Sequence, residues 1–137
     1  MRIIICYGNS LRGDDGFGLD VGKILKSKNL QNTKIIILHQ LVPELTLDLL
    51  YAKELVFVDA SYSNENSYKL ACDIANLQNN NQLSHHISYR QILAILNDVY
   101  NIYPKYEVFS MLCNNFDEVV DMDLYMECVM KCAEYLD

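Results

Sequence analysis

With 137 residues, 51% of them hydrophobic, the chain has enough material for one core over residues 1–137 and too little for two. The formal net charge of −7, with acids spread along the chain, excludes the clustered Lys and Arg of a nucleic-acid or anionic-membrane surface. No apolar run approaches the ~20 residues that span a bilayer. Arg2 is followed by a short apolar stretch that runs straight into a glycine-rich segment, which is no signal peptide, so a cytoplasmic protein is expected.

Arg2 to Tyr7 is a continuous apolar run without alternation, the pattern of a strand buried on both faces. Four of the five glycines follow within residues 8–18, together with the adjacent carboxylates Asp14 and Asp15. Either acid can cap the next helix, whose apolar spacing (Phe17, Val21, Ile24, Leu25) carries it to about Lys28. After the polar stretch Asn29 to Thr33, Ile35 to Leu38 reads as a β-branched strand. Pro43 suits a first helical turn ahead of Leu45, Leu49 and Leu50, a short helix ending near Lys53.

Leu55 to Val58 is a third apolar strand and is expected to end abruptly in Asp59. Tyr68 to Ile74 reads as a weaker strand, and Gln78 to Gln82 as a surface loop. Ser88 and Gln91 have the spacing of a capping box, opening a helix with Ile92, Leu93, Leu96 and Val99 on its apolar face. Glu107 to Leu112 is a further strand, and a last helix covers about Asp121 to Leu136 with Tyr125, Cys128, Val129, Cys132 and Leu136 on one stripe. Strands alternating with helices predict a three-layer α/β/α sandwich around a mostly parallel, mixed sheet. Ligands of such sheets bind beyond the carboxyl ends of the strands, where Asp14, Asp15 and Asp59 fall.

The five cysteines (Cys6, Cys72, Cys113, Cys128, Cys132) lie on apolar segments, are odd in number and form no Cys-x-x-Cys pair. They are expected to be reduced core residues. Gly8 and Gly13 have the outer spacing of a phosphate loop, yet aspartates stand where its lysine belongs, and carboxylates repel phosphate. Carboxylates at strand ends suit a divalent transition metal when an imidazole is near. Only His39, His85 and His86 are available, and the His85-His86 doublet precedes the capping box. Gly-x-Ser-x-Gly and His-Glu-x-x-His are both absent.

Gly8-Asn9-Ser10-Leu11-Arg12-Gly13-Asp14-Asp15-Gly16-Phe17-Gly18 closely resembles the opening motif of the [NiFe] hydrogenase maturation proteases. Further blocks agree in order: His39-Gln40-Leu41 with Pro43-Glu44-Leu45, then Val56-Phe57-Val58-Asp59-Ala60, then Ser84-His85-His86 with Ile92-Leu93 and Tyr103-Pro104. Tyr89 and Asn101 stand where the family often has glycine and proline, and the chain is slightly short. The resemblance implies a single α/β peptidase domain that removes the C-terminal extension from a hydrogenase large-subunit precursor. It carries the metal-contacting roles onto Asp15, Asp59 and His86, with His85 as the alternative ligand. It further implies nickel supplied by the precursor, no tightly held metal of the enzyme's own, and nickel as recognition label and candidate Lewis acid. Gln40, Glu44 and Asp14 are second-tier candidates for substrate contact, Asp14 also for orienting its loop. The expected partner is the precursor, met by a monomer. The rival readings are a related metal-dependent peptidase acting on another protein and a nickel-site-binding chaperone that does not cut.

Overall fold

The structure, a computed structural model, describes residues 1–8, 16–62, 69–72, 87–113 and 122–137. Its strands are β1 (Arg2–Tyr7), β2 (Thr33–Leu38), β3 (Glu54–Tyr62), β4 (Lys69–Cys72) and β5 (Lys105–Cys113). They form one sheet in the order β2-β1-β3-β5-β4, parallel except for β4, which runs antiparallel to β5 at one edge. The helices are α1 (Phe17–Ser27), α2 (Tyr89–Asp98) and α3 (Met122–Leu136), with a 3-10 helix at Pro43–Asp48.

The alternation of side chains along each strand divides the core into two. Ile4, Cys6, Val56, Val58, Ala60, Phe109 and Met111 face α1 and α3. Ile3, Ile5, Leu55, Phe57 and Val108 face α2 and the 3-10 helix. Helices on both faces explain why the central strands carry unbroken apolar runs. The expected three-layer α/β/α sandwich with a mixed sheet is the observed one.

Local chemistry accounts for the helix ends. Gln91 N–H donates to the Ser88 hydroxyl at 3.4 Å and Ser88 N–H to the Gln91 side-chain carbonyl at 2.7 Å, so the capping box is complete. At the other end of α2, Asn101 takes the left-handed φ of 57 and Ile102 N–H donates to the Leu96 carbonyl at 2.9 Å, which turns the chain back over the end of the helix. Val99 falls in that turn and is 68% exposed, so it is not part of the apolar face expected of it; Ile102 packs there instead. The α3 stripe is buried as its spacing predicts, and Ala133 joins it. Tyr125 stacks edge-on against Phe17 at 6.4 Å, and its hydroxyl donates to the Asp20 carboxylate, tying α3 to α1. Arg2 donates to the Leu136 carbonyl at 2.7 Å, and Lys28 pairs with Asp137 at 3.0 Å, fixing the end of α3.

Three expectations are corrected. The N-cap of α1 is Gly16, with no side-chain cap bond, rather than Asp14 or Asp15. The helix after Pro43 is a 3-10 turn closing at Asp48, held by successive three-residue bonds (Leu45 N–H to Val42, Leu49 N–H to Thr46) and by the Thr46 hydroxyl on the Pro43 carbonyl at 2.8 Å. The third strand does not stop at Asp59: pairing with β5 carries β3 on to Tyr62. The outer bounds also shift. β2 and β5 each begin two residues earlier than their apolar runs because main-chain pairing extends past them. β4 occupies the middle of the stretch expected as a weaker strand.

Candidate active site

In this sheet order the chain leaves β1 toward β2 on one side and toward β3 on the other, so the topological switch lies between β1 and β3. Pairing between them ends at Cys6↔Val58, while β3 continues against β5 through Asp59↔Ser110 to Tyr62↔Cys113. Asp59 is therefore the first β3 residue beyond the last β1–β3 pair. Its main chain is fixed by β5 on one side and borders the parting on the other.

Helix α1 starts against the floor of that parting. A Cβ built on Gly18 would meet the Tyr7 carbonyl at 2.4 Å, the Val58 carbonyl at 2.6 Å and the Tyr7 nitrogen at 2.9 Å. All three are main-chain atoms of β1 and β3, so this helix touches the strand ends only because residue 18 is glycine. Gly8 N–H donates to the Leu38 carbonyl at 3.2 Å, which links the end of β1 to the end of β2.

Strand alternation puts Asp59 on the face of Leu55 and Phe57, the side covered by α2. There Tyr89, the first residue of α2, packs on Phe57 with ring centroids 5.6 Å apart. The amino end of α2 thus stands two positions along β3 from Asp59. Ser110, opposite Asp59 on β5, is fully buried. Sequence reasoning passed it over, although a single hydroxyl inside Val108-Phe109-Ser110-Met111 is a readable signal in an apolar strand.

Of the expected site residues, Asp59 is half-buried at the parting. Gln40 and Glu44 are exposed, after β2 and in the first turn of the 3-10 helix, at the same carboxyl end of the sheet. Asp14, Asp15, His85 and His86 lie outside the described residues. Among the described residues no three His, Cys, Asp or Glu converge in a metal-binding group. Cys6, Cys128 and Cys132 form no disulfide and are buried, as expected of core thiols; the side chains of Cys72 and Cys113 lie outside the description. Burial pushes the Cys6 thiol well above its ordinary range, with neighbouring Cys132 adding to the effect. Burial likewise raises Cys128. Neither is an activated thiolate of the kind a cysteine nucleophile needs.

Solved structures share this fold. The hydrogenase maturating endopeptidase HybD from E. coli superposes with a TM-score of 0.77 at 16% identity, covering 98% of this chain and 88% of its own. The [NiFe] hydrogenase maturation protease HycI from Thermococcus kodakarensis gives 0.72 at 19% identity, covering 98% and 88%. The chain has the fold of the hydrogenase maturation proteases. A solution structure of the endopeptidase HycI from Escherichia coli matches at 0.71 and 15% identity, over 99% of this chain and 88% of that one. No protein-family model matches the sequence, and no curated protein does. Among the described residues no helix is long and apolar enough to cross a membrane.

Proposed function

We propose that this protein is an endopeptidase that removes the C-terminal extension of a [NiFe] hydrogenase large-subunit precursor after nickel insertion. The observation that carries the reading is the parting of β1 and β3 at Asp59, bordered by the amino ends of α1 and α2. Covalent continuity supports the remaining assignments. Asp15 directly precedes Gly16, the N-cap of α1. His86 precedes Tyr89 by three residues, a reach of about 10 Å from a ring packed on Phe57. Those are the chain segments that resemble the family's acid, strand-end acid and histidine blocks.

Two carboxylates and one imidazole form a weak set for a resident ion but a suitable one for completing a nickel site already held by substrate thiolates. Asp15, Asp59 and His86 take that role in this reading, with His85 as the alternative to His86. The metal belongs to the substrate, and its chemistry there is polarisation of the scissile carbonyl or activation of a water. Gln40 and Glu44, exposed at the carboxyl end of the sheet, meet the substrate chain in this reading, and Asp14 orients the loop that carries Asp15.

Incubation with nickel-loaded and nickel-free precursor tests the proposal. Cleavage of the loaded form alone is expected, and cleavage of neither sinks it for that precursor. A chaperone that does not cut would hold the loaded precursor without shortening it. Asp15→Asn is expected to abolish processing, and full activity in His86→Ala alongside loss in His85→Ala would transfer the ligand role to His85.

A further inference from the structure

We propose that the outer edge of β2 receives an extended, acidic C-terminal segment of the protein substrate as an added antiparallel strand. This rests on the processing function above and deepens it by stating where the part of the substrate beyond the cleaved bond lies.

The main chain carries the first part of the argument. β2 ends the sheet order, and the bonds Arg2 N–H to the Asn32 carbonyl and Gly8 N–H to the Leu38 carbonyl, both 3.2 Å, fix the phase of its ladder with β1. With Ile4 opposite Ile35 and Cys6 opposite Ile37, that phase turns the N–H and C=O groups of Lys34, Ile36 and Leu38 toward β1. The N–H and C=O groups of Thr33, Ile35 and Ile37 point outward, with no main-chain partner among the described residues. Natural sheet edges are usually blunted by proline, bulges or charged side chains, lysine above all, and Lys34 is the one such residue within this strand. This one is six residues of Thr-Lys-Ile-Ile-Ile-Leu, regular along its whole length.

A cavity lies against the same edge. It has a volume of about 260 Å³ and is lined by Leu25, Lys26, Asn29, Leu30, Thr33 and Ile35. An added strand presents every second side chain to one face of the sheet, and a cavity beside an open edge is what gives strand addition its specificity. Charge selects the occupant. From Val21 to Pro43 the chain has Lys23, Lys26, Lys28 and Lys34 and no Asp or Glu, in a protein of net charge −7. Lys28 is paired with Asp137. Lys26 lines the cavity and Lys34 lies on the strand itself, and both are exposed, as is Lys23 on α1. A second copy of the chain would set this lysine group against itself, whereas an acidic segment, or one ending in its α-carboxylate, complements it.

Direction follows from the sheet. Because β1, β2 and β3 are parallel, β2 has its carboxyl end at the same end of the sheet as Asp59. A segment leaving the Asp59 parting crosses β1 and β2, about 14 Å at the usual strand spacing, before it lies along the edge. It then runs from the carboxyl to the amino end of β2, antiparallel to it, and finishes near Lys26 and Lys34.

Two readouts on the full chain separate this proposal from the function it rests on. Amide spectra of labelled protein are recorded against a dodecapeptide of alternating Val and Glu, and against its Val and Lys counterpart. Shifts centred on Thr33, Ile35 and Ile37 are expected with the acidic peptide, roughly tenfold weaker binding with the basic one, and loss of the shifts in Ile37→Pro. Silence of those amides toward the acidic peptide, or equal binding of both peptides, overturns the proposal whether or not the chain is a protease. The second readout is steady-state processing of a precursor that the wild-type protein cleaves. Ile35→Pro, and Lys26→Glu with Lys34→Glu as the pair that leaves the main chain intact, are expected to raise KM about tenfold with kcat unchanged. An unchanged KM in the lysine pair overturns the assignment of the edge to the substrate. Cleavage of no precursor by the wild type would remove the processing function and this occupant together, and edge shifts with the acidic peptide would then show a strand-binding edge serving another ligand.

Discussion

Replacing Gly18 by alanine forces a methyl carbon to within 2.4 Å of the Tyr7 carbonyl and 2.6 Å of the Val58 carbonyl. Both distances fall short of ordinary contact by about 1 Å. None of the obstructing atoms is on a side chain, so relief requires α1 to back away from the ends of β1 and β3. Overpacking of this kind costs about 1–3 kcal/mol, and rigid main-chain obstacles place it at the upper end. Alanine returns about 1 kcal/mol of helix propensity. The net loss is about 2 kcal/mol, or about 8 °C in Tm for a chain of this size. Urea titration and thermal melting measure it. Gly22→Ala is the comparison, because its Cβ meets Ile37 Cγ1 and Cδ1 at 2.9 Å and the Cys6 Cβ at 3.0 Å, side-chain carbons at longer range rather than main chain. That variant is expected to lose less stability than Gly18→Ala. Processing should suffer more than stability in Gly18→Ala, since a retreat of about 1 Å beside a reacting centre can cost ~100-fold in rate. A Gly18→Ala protein as stable as wild type, or less affected than Gly22→Ala, would refute the account of α1 resting on bare main chain.

Three other outcomes are expected. Asp59→Asn keeps the strand, because the pairing of Asp59 with Ser110 is main-chain, and should lower processing by at least ~100-fold with Tm nearly unchanged; normal cleavage would remove Asp59 from the site. Ser88→Ala removes the hydroxyl that accepts from Gln91 N–H and should cost about 1 kcal/mol, read as a shift in the urea midpoint without a change in slope. Cys6, 0% exposed and with its thiol held neutral by burial, should resist maleimide in the folded protein and react on unfolding. The unfolded chain gives up that proton from about pH 9 while the folded one keeps it, so this contribution is complete below pH 9 and fades as pH rises above it. Substitution by serine should flatten that alkaline limb of the stability curve.

Features set by near neighbours in the chain were legible in the sequence. The capping box at Ser88 and Gln91, the apolar stripe of α3 and the doubly buried strand at Arg2–Tyr7 depend on spacing within a few residues. What was misread depends on partners distant in sequence. Asp59 looked like a strand terminus because its charge ends an apolar run, whereas the strand persists on hydrogen bonds to β5, some fifty residues on. Asp14 and Asp15 are good capping residues, yet the cap is Gly16, next to a helix that must press its Gly18 against β1 and β3. Val99 continues the helical period of α2, and the left-handed turn at Asn101 gives its place to Ile102. At the site, the acid on β3 was found from its position after an apolar run. The buried Ser110 opposite it was not, because strand pairing is invisible to local pattern.

The parting of β1 from β3 has a consequence for how such a site tolerates mutation. Its place is set by where two ladders of peptide groups stop pairing, and apolar side chains enter only as interchangeable filling on either face. Substitutions among Ile, Val, Leu and Phe in the strands can accumulate without moving it, so long as one acid follows the last shared rung and one glycine lets the helix settle there. The architecture can therefore outlast recognisable sequence, as structures alike at 15–19% identity illustrate.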